Sequence, residues 1–364
     1  MRSTFVAAAL AAVAAAKPLP QELDFDLLET ISAIPTATVP VVGISATTVE
    51  YNPTTASAAV AASVSASGIV TSVAEKRDIE RRSACAPQPT GAGPLTTPDT
   101  VAAFKANPVY SSAAVQASTP AGYTNAFTNL NASNNAYGYL GYTTLPSYDV
   151  ASCSAKCDAI QGCQSFNIYY ERDPSVDPDN TNCPNPSSTV NIKCVFWGGP
   201  VSASNAVNYG QWRAQFQVAI AGSNGYVNNS ITTPSGYNGP TYLGNAAINA
   251  LSDCNGANTY MGYKLFQNQA FDVSLCAAAC SAQTVYNLAH PPTDGSKPMT
   301  CQFFNTYILL RNNQNVGQYC SLYNETWPAS TATNVGQYRG SDKYTIAYSY
   351  AFSNATDAGV CKTN

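Results

Sequence analysis

The twelve cysteines carry most of the chemistry that side-chain type and spacing offer in this chain, and their pattern occurs twice. The first copy runs Tyr148-Asp149-Val150, Cys153, Cys157, Cys163 with Phe166, Asn167 and Tyr169, then Cys194 and Asn208, Gly210, Gln211, Trp212, Arg213. The second runs Phe271-Asp272-Val273, Cys276, Cys280, Cys301 with Phe304, Asn305 and Tyr307, then Cys320 and Asn334, Gly336, Gln337, Tyr338, Arg339. A redox pair favours C-x2-C and a low-pKa thiolate. A zinc site wants close paired spacings, often with histidine. Neither pattern is present, so the cysteines read as structural disulfides of an oxidising compartment, and no cofactor or metal is expected.

The other reactive residues are few. His290 is the single histidine and falls in the insertion between Cys280 and Cys301, with no nucleophile motif beside it. Glu171, Asp173, Asp177 and Asp179 could supply oxygen ligands to calcium or the two carboxylates of a glycosidase. Arg172 and the nearby prolines and asparagines instead suggest a solvated loop, and calcium binding at 171–179 stays open. Gly222-Ser223-Asn224-Gly225-Tyr226 reads as a turn between the copies, not a phosphate loop. The expectation is a protein without catalytic apparatus.

Aromatic rings are the stronger lead. With 23 tyrosines and 10% charged residues, the surface of flat rings and neutral amides suits sugars, which stack and hydrogen-bond. Trp212-Arg213 and Tyr338-Arg339 recur at equivalent places, as do Trp197 and Tyr323 three residues after the last repeated cysteine. These six are the candidate ligand-binding residues; the competing reading is that the rings pack the core.

Elements must hold them. The C-x3-C segments 151–160 and 275–283 suit short helices, which put both sulfurs on one face, with Asp149 and Asp272 placed to cap them. Segments 164–170, 302–309 and 215–220 read as strands. The offset between copies is 123 from Asp149 to Cys157 and 126 from Cys194 to Arg213, so insertions lie between those blocks. Upstream, Thr119-Pro120-Ala121-Gly122-Tyr123 matches Thr233-Pro234-Ser235-Gly236-Tyr237. Two modules follow, 119–226 and 233–361, after an N-terminal segment 83–118.

A helix with C-x3-C, then C-x2-F opening a strand, then a later cysteine resembles the PAN/Apple superfamily of extracellular binding modules. The resemblance covers roughly 139–220 and 260–350. It implies an α+β fold, each module a short helix packed on a small antiparallel sheet. It also implies the bridges Cys153–Cys194, Cys157–Cys163, Cys276–Cys320 and Cys280–Cys301. A module-closing pair Cys254–Cys361, of the Apple kind, is preferred for the next two cysteines; Cys85 and Cys183 then remain by elimination, their pairing open. The long, asparagine-rich lead-ins depart from a minimal PAN module.

Met1-Arg2 and the alanine-rich run to Ala16 have the form of a secretory signal, 1–16. Residues 17–82, ending in the dibasic pairs Lys76-Arg77 and Arg81-Arg82, read as a propeptide whose Ala/Ser/Thr/Val composition buries little core. Removing 1–82 takes six of the 17 basic and eight of the 21 acidic residues, leaving a formal charge of −2. That is too little positive charge for nucleic acid or an anionic membrane, and no late apolar segment suggests a membrane span. Sequons at Asn131, Asn228, Asn324 and Asn354 agree with the secretory route. The style resembles secreted proteins of filamentous fungi. The expected function is non-catalytic binding of glycan or cell-wall polysaccharide; the alternatives are an extracellular protein partner or wall-structural role and, more distantly, a hydrolase. The expected location is extracellular or wall-associated.

Overall fold

The computed structural model describes residues 25–35, 37, 46–67, 84–267, 270–357, 359 and 361. The signal segment and the processing residues Lys76, Arg77, Arg81 and Arg82 lie outside them. The first half contains α1 (Phe25–Thr30), β1 (Ala46–Thr48), α2 (Pro53–Ser67), α3 (Val101–Ala106), α4 (Pro108–Gln116), β2 (Tyr123–Leu130), β3 (Tyr139–Leu145), α5 (Val150–Asp158), β4 (Ser165–Pro174) and β5 (Ser188–Trp197). Then come β6 (Trp212–Arg213), β7 (Phe216–Gln217), β8 (Ala219–Asn228), β9 (Tyr237–Gly244), β10 (Tyr260–Phe266), α6 (Val273–Ala289), β11 (Phe303–Arg311), β12 (Gln314–Tyr323), β13 (Gly336–Arg339) and β14 (Asp342–Asn354).

The architecture is mostly antiparallel β, which overturns the α+β expectation of a short helix on a small sheet. One sheet has six strands in the order β1-β3-β5-β4-β8-β2; the other runs β10-β12-β11-β14-β13, with β9 also on β14. β6 and β7 pair separately. Apart from β1, the orders β3-β5-β4-β8-β2 and β10-β12-β11-β14-β9 place equivalent segments of the two copies in equivalent positions. The sheets outgrew the sequence reading because their central strands are buried on both faces. Every residue of β4 is buried, so no apolar–polar alternation marks its length.

Strand β8 was hidden for a different reason. Gly222 to Tyr226, expected to be a turn, lies inside this strand. Glycine fits because a Cβ on Gly225 would come within 2.2 Å of the Phe127 ring. Ser223 and Asn224 are fully buried and satisfy Asn167, whose amide nitrogen donates to Ser223 Oγ (2.9 Å) and Asn224 O (2.8 Å) while its oxygen accepts from Asn134 N (3.1 Å). Asn305 does the same in the second copy, donating to Ser349 Oγ and Tyr350 O (both 2.9 Å) and accepting from Ile248 N (2.9 Å). This buried amide knits one loop to two strands, and it explains the asparagine of the repeated F-N-x-Y motif.

Asp149 caps α5 by accepting from Ser152 N (2.9 Å), and Asp272 caps α6 by accepting from Ser274 N (2.8 Å). Helix α6 is 17 residues long, because part of the insertion before Cys301 continues the helix with Ala, Gln and Leu, good helix formers. All twelve cysteines are bridged. Cys153–Cys194 and Cys276–Cys320 tie helix to sheet at Cα separations of 5.9 and 5.7 Å. Cys157–Cys163 and Cys280–Cys301 close the turn into the next strand, and Cys85–Cys183 and Cys254–Cys361 tie down longer excursions.

Residues before 83 also depart from expectation. Leu28 and Val64 are fully buried and Val60 nearly so; Leu28 enters a cluster of the second sheet, and Val60 and Val64 enter the one that holds α6. In segment 83–118, α3 and α4 are capped by Thr100 and Asn107, with Pro108 in the first turn of α4. They bury Phe104 and Tyr110 in the core of the first sheet.

Candidate functional site

The repeated Asn-x-Gly-Gln-aromatic-Arg motif forms the same loop twice. Asn208 and Ser133 exchange backbone hydrogen bonds (2.9 and 3.1 Å), as do Asn334 and Ala247 (2.8 and 3.1 Å). Each asparagine then accepts from the glycine two residues on, Gly210 N at 3.1 Å and Gly336 N at 3.0 Å. Both glycines have positive φ, 94° and 98°. A Cβ there would lie 2.2 Å from Val218 O or 2.1 Å from Tyr344 O, so backbone conformation and close approach both demand glycine.

A short hairpin follows. Trp212 and Arg213 of β6 face Gln217 and Phe216 of β7; Tyr338 and Arg339 of β13 face Lys343 and Asp342 of β14. Phe216 is fully buried under the Arg172 guanidinium, 4.2 Å from its ring centroid, and anchors the first hairpin. Strand alternation sends the next rings outward. Trp212 is 66% exposed and Tyr338 69%, with Tyr209 and Val335 at the preceding equivalent position also exposed. These are the candidate binding tips.

The other nominated residues have structural roles. Trp197 and Tyr323 are fully buried, which removes them as ligand-facing groups. Trp197 packs edge-on against Tyr139, and Tyr323 Oη donates to Ile248 O at 3.3 Å. Arg213 pairs with Asp177 at 2.5 Å, and Arg339 with Glu29 of α1 at 3.3 Å. Each arginine thus braces its hairpin against another segment.

Of the acidic residues at 171–179, Asp177 and Asp179 lie in the loop after β4, but Glu171 and Asp173 do not belong to a solvated loop. Glu171 and Asp173 lie on β4, buried with Lys193, whose Nζ is 2.5 Å from Glu171 Oε1 and 3.9 Å from Asp173 Oδ2. Burial, reinforced by the charge of Glu171, raises the Asp173 carboxyl well above the usual carboxylate range. Asp173 Oδ2 also accepts from Asn191 Nδ2 at 2.7 Å, so a neutral amide holds this carboxyl beside the Lys193 ammonium. Asp177 is spent on Arg213. Asp179 accepts from Asn182 N (2.9 Å) and Thr181 N (3.0 Å), which holds its carboxyl below the ordinary value. No cluster of three or more His, Cys, Asp or Glu suited to a metal occurs among the described residues.

His290 is the exposed C-cap of α6, stacked on Tyr286 at 4.3 Å with Nδ1 2.9 Å from Tyr286 O. Asn131 is exposed, while Asn228, Asn324 and Asn354 are half-buried. Asn228 and Asn354 close equivalent turns, accepting from Ser230 N (2.8 Å) and Thr356 N (2.9 Å).

No family model, no curated protein and no solved structure matches the chain. No described helix is long and apolar enough to cross a membrane, a statement that leaves β-barrels aside. Six disulfides are compatible with an extracellular protein.

Proposed function

We propose that the protein is a secreted, non-catalytic binding protein that recognises glycan or cell-wall polysaccharide through its paired aromatic loops. The observation that carries this reading is the exposure of Trp212 and Tyr338 on the same rigid loop in both copies. A large ring left in water at one place is unremarkable, but two at equivalent positions, each on a loop fixed by a positive-φ glycine, suit one stacking platform per repeat. Weak stacking at each tip gains from repetition when the ligand is a polymer. The disulfides and sequons support secretion, and the dibasic pairs support maturation by cleavage after Arg77 or Arg82. The C-x3-C helix, bridged once to a strand and once to the turn before the next, supports kinship with PAN/Apple modules as part of the same proposal.

The test is pull-down of the purified protein on insoluble chitin, β-glucan and cellulose, with a Trp212→Ala/Tyr338→Ala double variant alongside. Saturable binding, lost in a variant that keeps its disulfides and far-UV spectrum, is expected. Binding to none of the polymers sinks the glycan reading and directs the search to a protein partner.

A further inference from the structure

Residues 46–67 belong to neither repeat and touch both. β1 pairs antiparallel with the β3 edge of the first sheet, Ala46 facing Thr143 and Thr48 facing Gly141. Val49 N donates to Leu140 O at 3.2 Å, and Thr47 Oγ1 lies 3.0 Å from Tyr139 Oη. Four residues further on, Asn52 and Pro53 start α2 in the manner of a helix N-terminus, Thr55 N donating to Asn52 Oδ1 at 3.0 Å. Helix α2 then lies against α6 of the second repeat, with Val60 and Val64 in the same buried cluster as Phe271, Val273 and Phe304.

The segment runs close to the receiving surface. A Cβ on Gly141 would fall 2.0 Å from Thr47 O, and one on Gly162 would meet Ala270 Cβ at 2.7 Å and Tyr51 Cδ1 at 2.8 Å. The equivalent of Gly141 in the second repeat is Gly262, where a Cβ would meet nothing, and β10 carries no added strand among the described residues. Positive φ, 107° at Gly141 and 96° at Gly262, calls for glycine in both repeats, so the close approach to Thr47 is what distinguishes the first. Tyr51 Oη donates to Asp272 Oδ2 at 2.6 Å, the same carboxylate that caps α6. Ser57 and Ser274 hydroxyls meet at 2.9 Å. Strand addition at one end and helix packing at the other are two recurrent modes by which a separate peptide is bound. Residues 1–82 contain no cysteine, so once the chain is cut at 76–82 no covalent bond would keep the segment in place.

We infer that residues 46–67 are the ligand of a built site, a noncovalent strap that stays docked after cleavage at the dibasic pairs and makes the processed protein a two-chain complex. The strap closes the β3 edge, which would otherwise offer unpaired backbone to another chain. It also links the first sheet to α6, and with it the two repeats that carry the aromatic tips. The cleavage half rests on the processing proposed above; the docking half rests on these contacts.

The experiment cuts purified full-length protein with a protease specific for paired basic residues, under non-reducing conditions. Cleavage is read on a denaturing gel and association by size-exclusion with intact-mass detection. The fragment containing 46–67 should co-elute one-to-one with the disulfide-linked body, and a Val60→Asp/Val64→Asp variant should release it while the body keeps its near-UV spectrum. A chain that resists cutting at 76–82 overturns the cleavage half. A fragment that leaves the wild-type body, or one that the double variant still retains, overturns the docking half. Tyr51→Phe removes only the hydroxyl bonded to Asp272 and covers the case in which the double variant fails to fold. It should raise the released fraction several-fold, and an unchanged fraction counts against the strap.

Discussion

On the face of the first sheet opposite Cys194 and its helix, Lys193, Glu171 and Asp173 are buried beside Tyr142, whose ring lies 5.2 Å from Lys193 Nζ. The equivalent positions in the second sheet hold Tyr319 for Lys193, Leu309 for Glu171 and Tyr263 for Tyr142. There Tyr319 stacks on Tyr263 at 4.7 Å and on Tyr307 at 5.2 Å, and Leu28 of α1 joins the cluster. An ion pair over an aromatic ring in one copy is a stack of rings in the other, inside the same strand order. The frame common to both is the disulfides, the Asn167 and Asn305 networks and the capped helices. What fills the far face is interchangeable so long as charge and volume are met.

The largest effect should come from breaking the ionic version. Lys193→Met leaves Glu171 buried without its partner and should cost about 3–5 kcal/mol, read by urea denaturation under non-reducing conditions. Adding Glu171→Leu, the residue the second copy uses, should recover most of the loss, since an apolar pair of similar volume often replaces a buried ion pair without penalty. A loss that Glu171→Leu fails to recover would mean that the far faces are not interchangeable.

A smaller and equal effect is expected where the copies agree. Gly210→Ala and Gly336→Ala place a Cβ against a backbone oxygen at 2.2 and 2.1 Å with φ near +95°. Each should cost about 1–3 kcal/mol by the same measurement. A marked difference between the two would show that one loop relaxes where the other cannot, and that the aromatic tips are not held alike.

Legibility followed this division. The duplication, the cysteine framework and the caps Asp149 and Asp272 were visible because spacing and residue type specify them; Trp212 and Tyr338 were picked out by recurrence, which does not say that their rings are exposed. The buried roles of Trp197 and Tyr323 were not, since an aromatic three residues after a cysteine looks the same on either face of a strand. Glu171 and Asp173 resembled loop residues because their partner Lys193 is distant in sequence and burial of charge leaves no local mark. The sheet's extent was obscured by β4, buried on both faces, and by β8, whose Gly-Ser-Asn-Gly run signals a turn unless the Phe127 ring that occupies the missing Cβ space is known. The docking of residues 46–67 depended on two buried valines, Val60 and Val64, too few to register in composition, and on partners more than 90 residues away.

The finest contrast lies at the helix caps. Asp149→Ala and Asp272→Ala each remove a side-chain acceptor from a helix N-terminus and should cost about 1 kcal/mol. Each carboxylate also accepts from one hydroxyl, Asp149 from Ser152 at 2.8 Å and Asp272 from Tyr51 at 2.6 Å, so the two losses should be similar while the strap is docked, and that of Asp272 should fall by roughly 0.5–1.5 kcal/mol in protein stripped of residues 46–67. For Asp149 the sign of the pH dependence follows from its partners. The Ser152 backbone N–H and hydroxyl favour the ionised carboxylate and hold its folded-state pKa below the usual value. Its contribution is therefore fully present above the unfolded carboxyl value of about 3.9 and is lost as pH falls through the lower folded value. Thermal midpoints of wild type and Asp149→Ala should differ at pH 6 and converge on acidification. A gap that persists in strong acid would mean that the alanine acts on packing beside Cys153 and not on the cap.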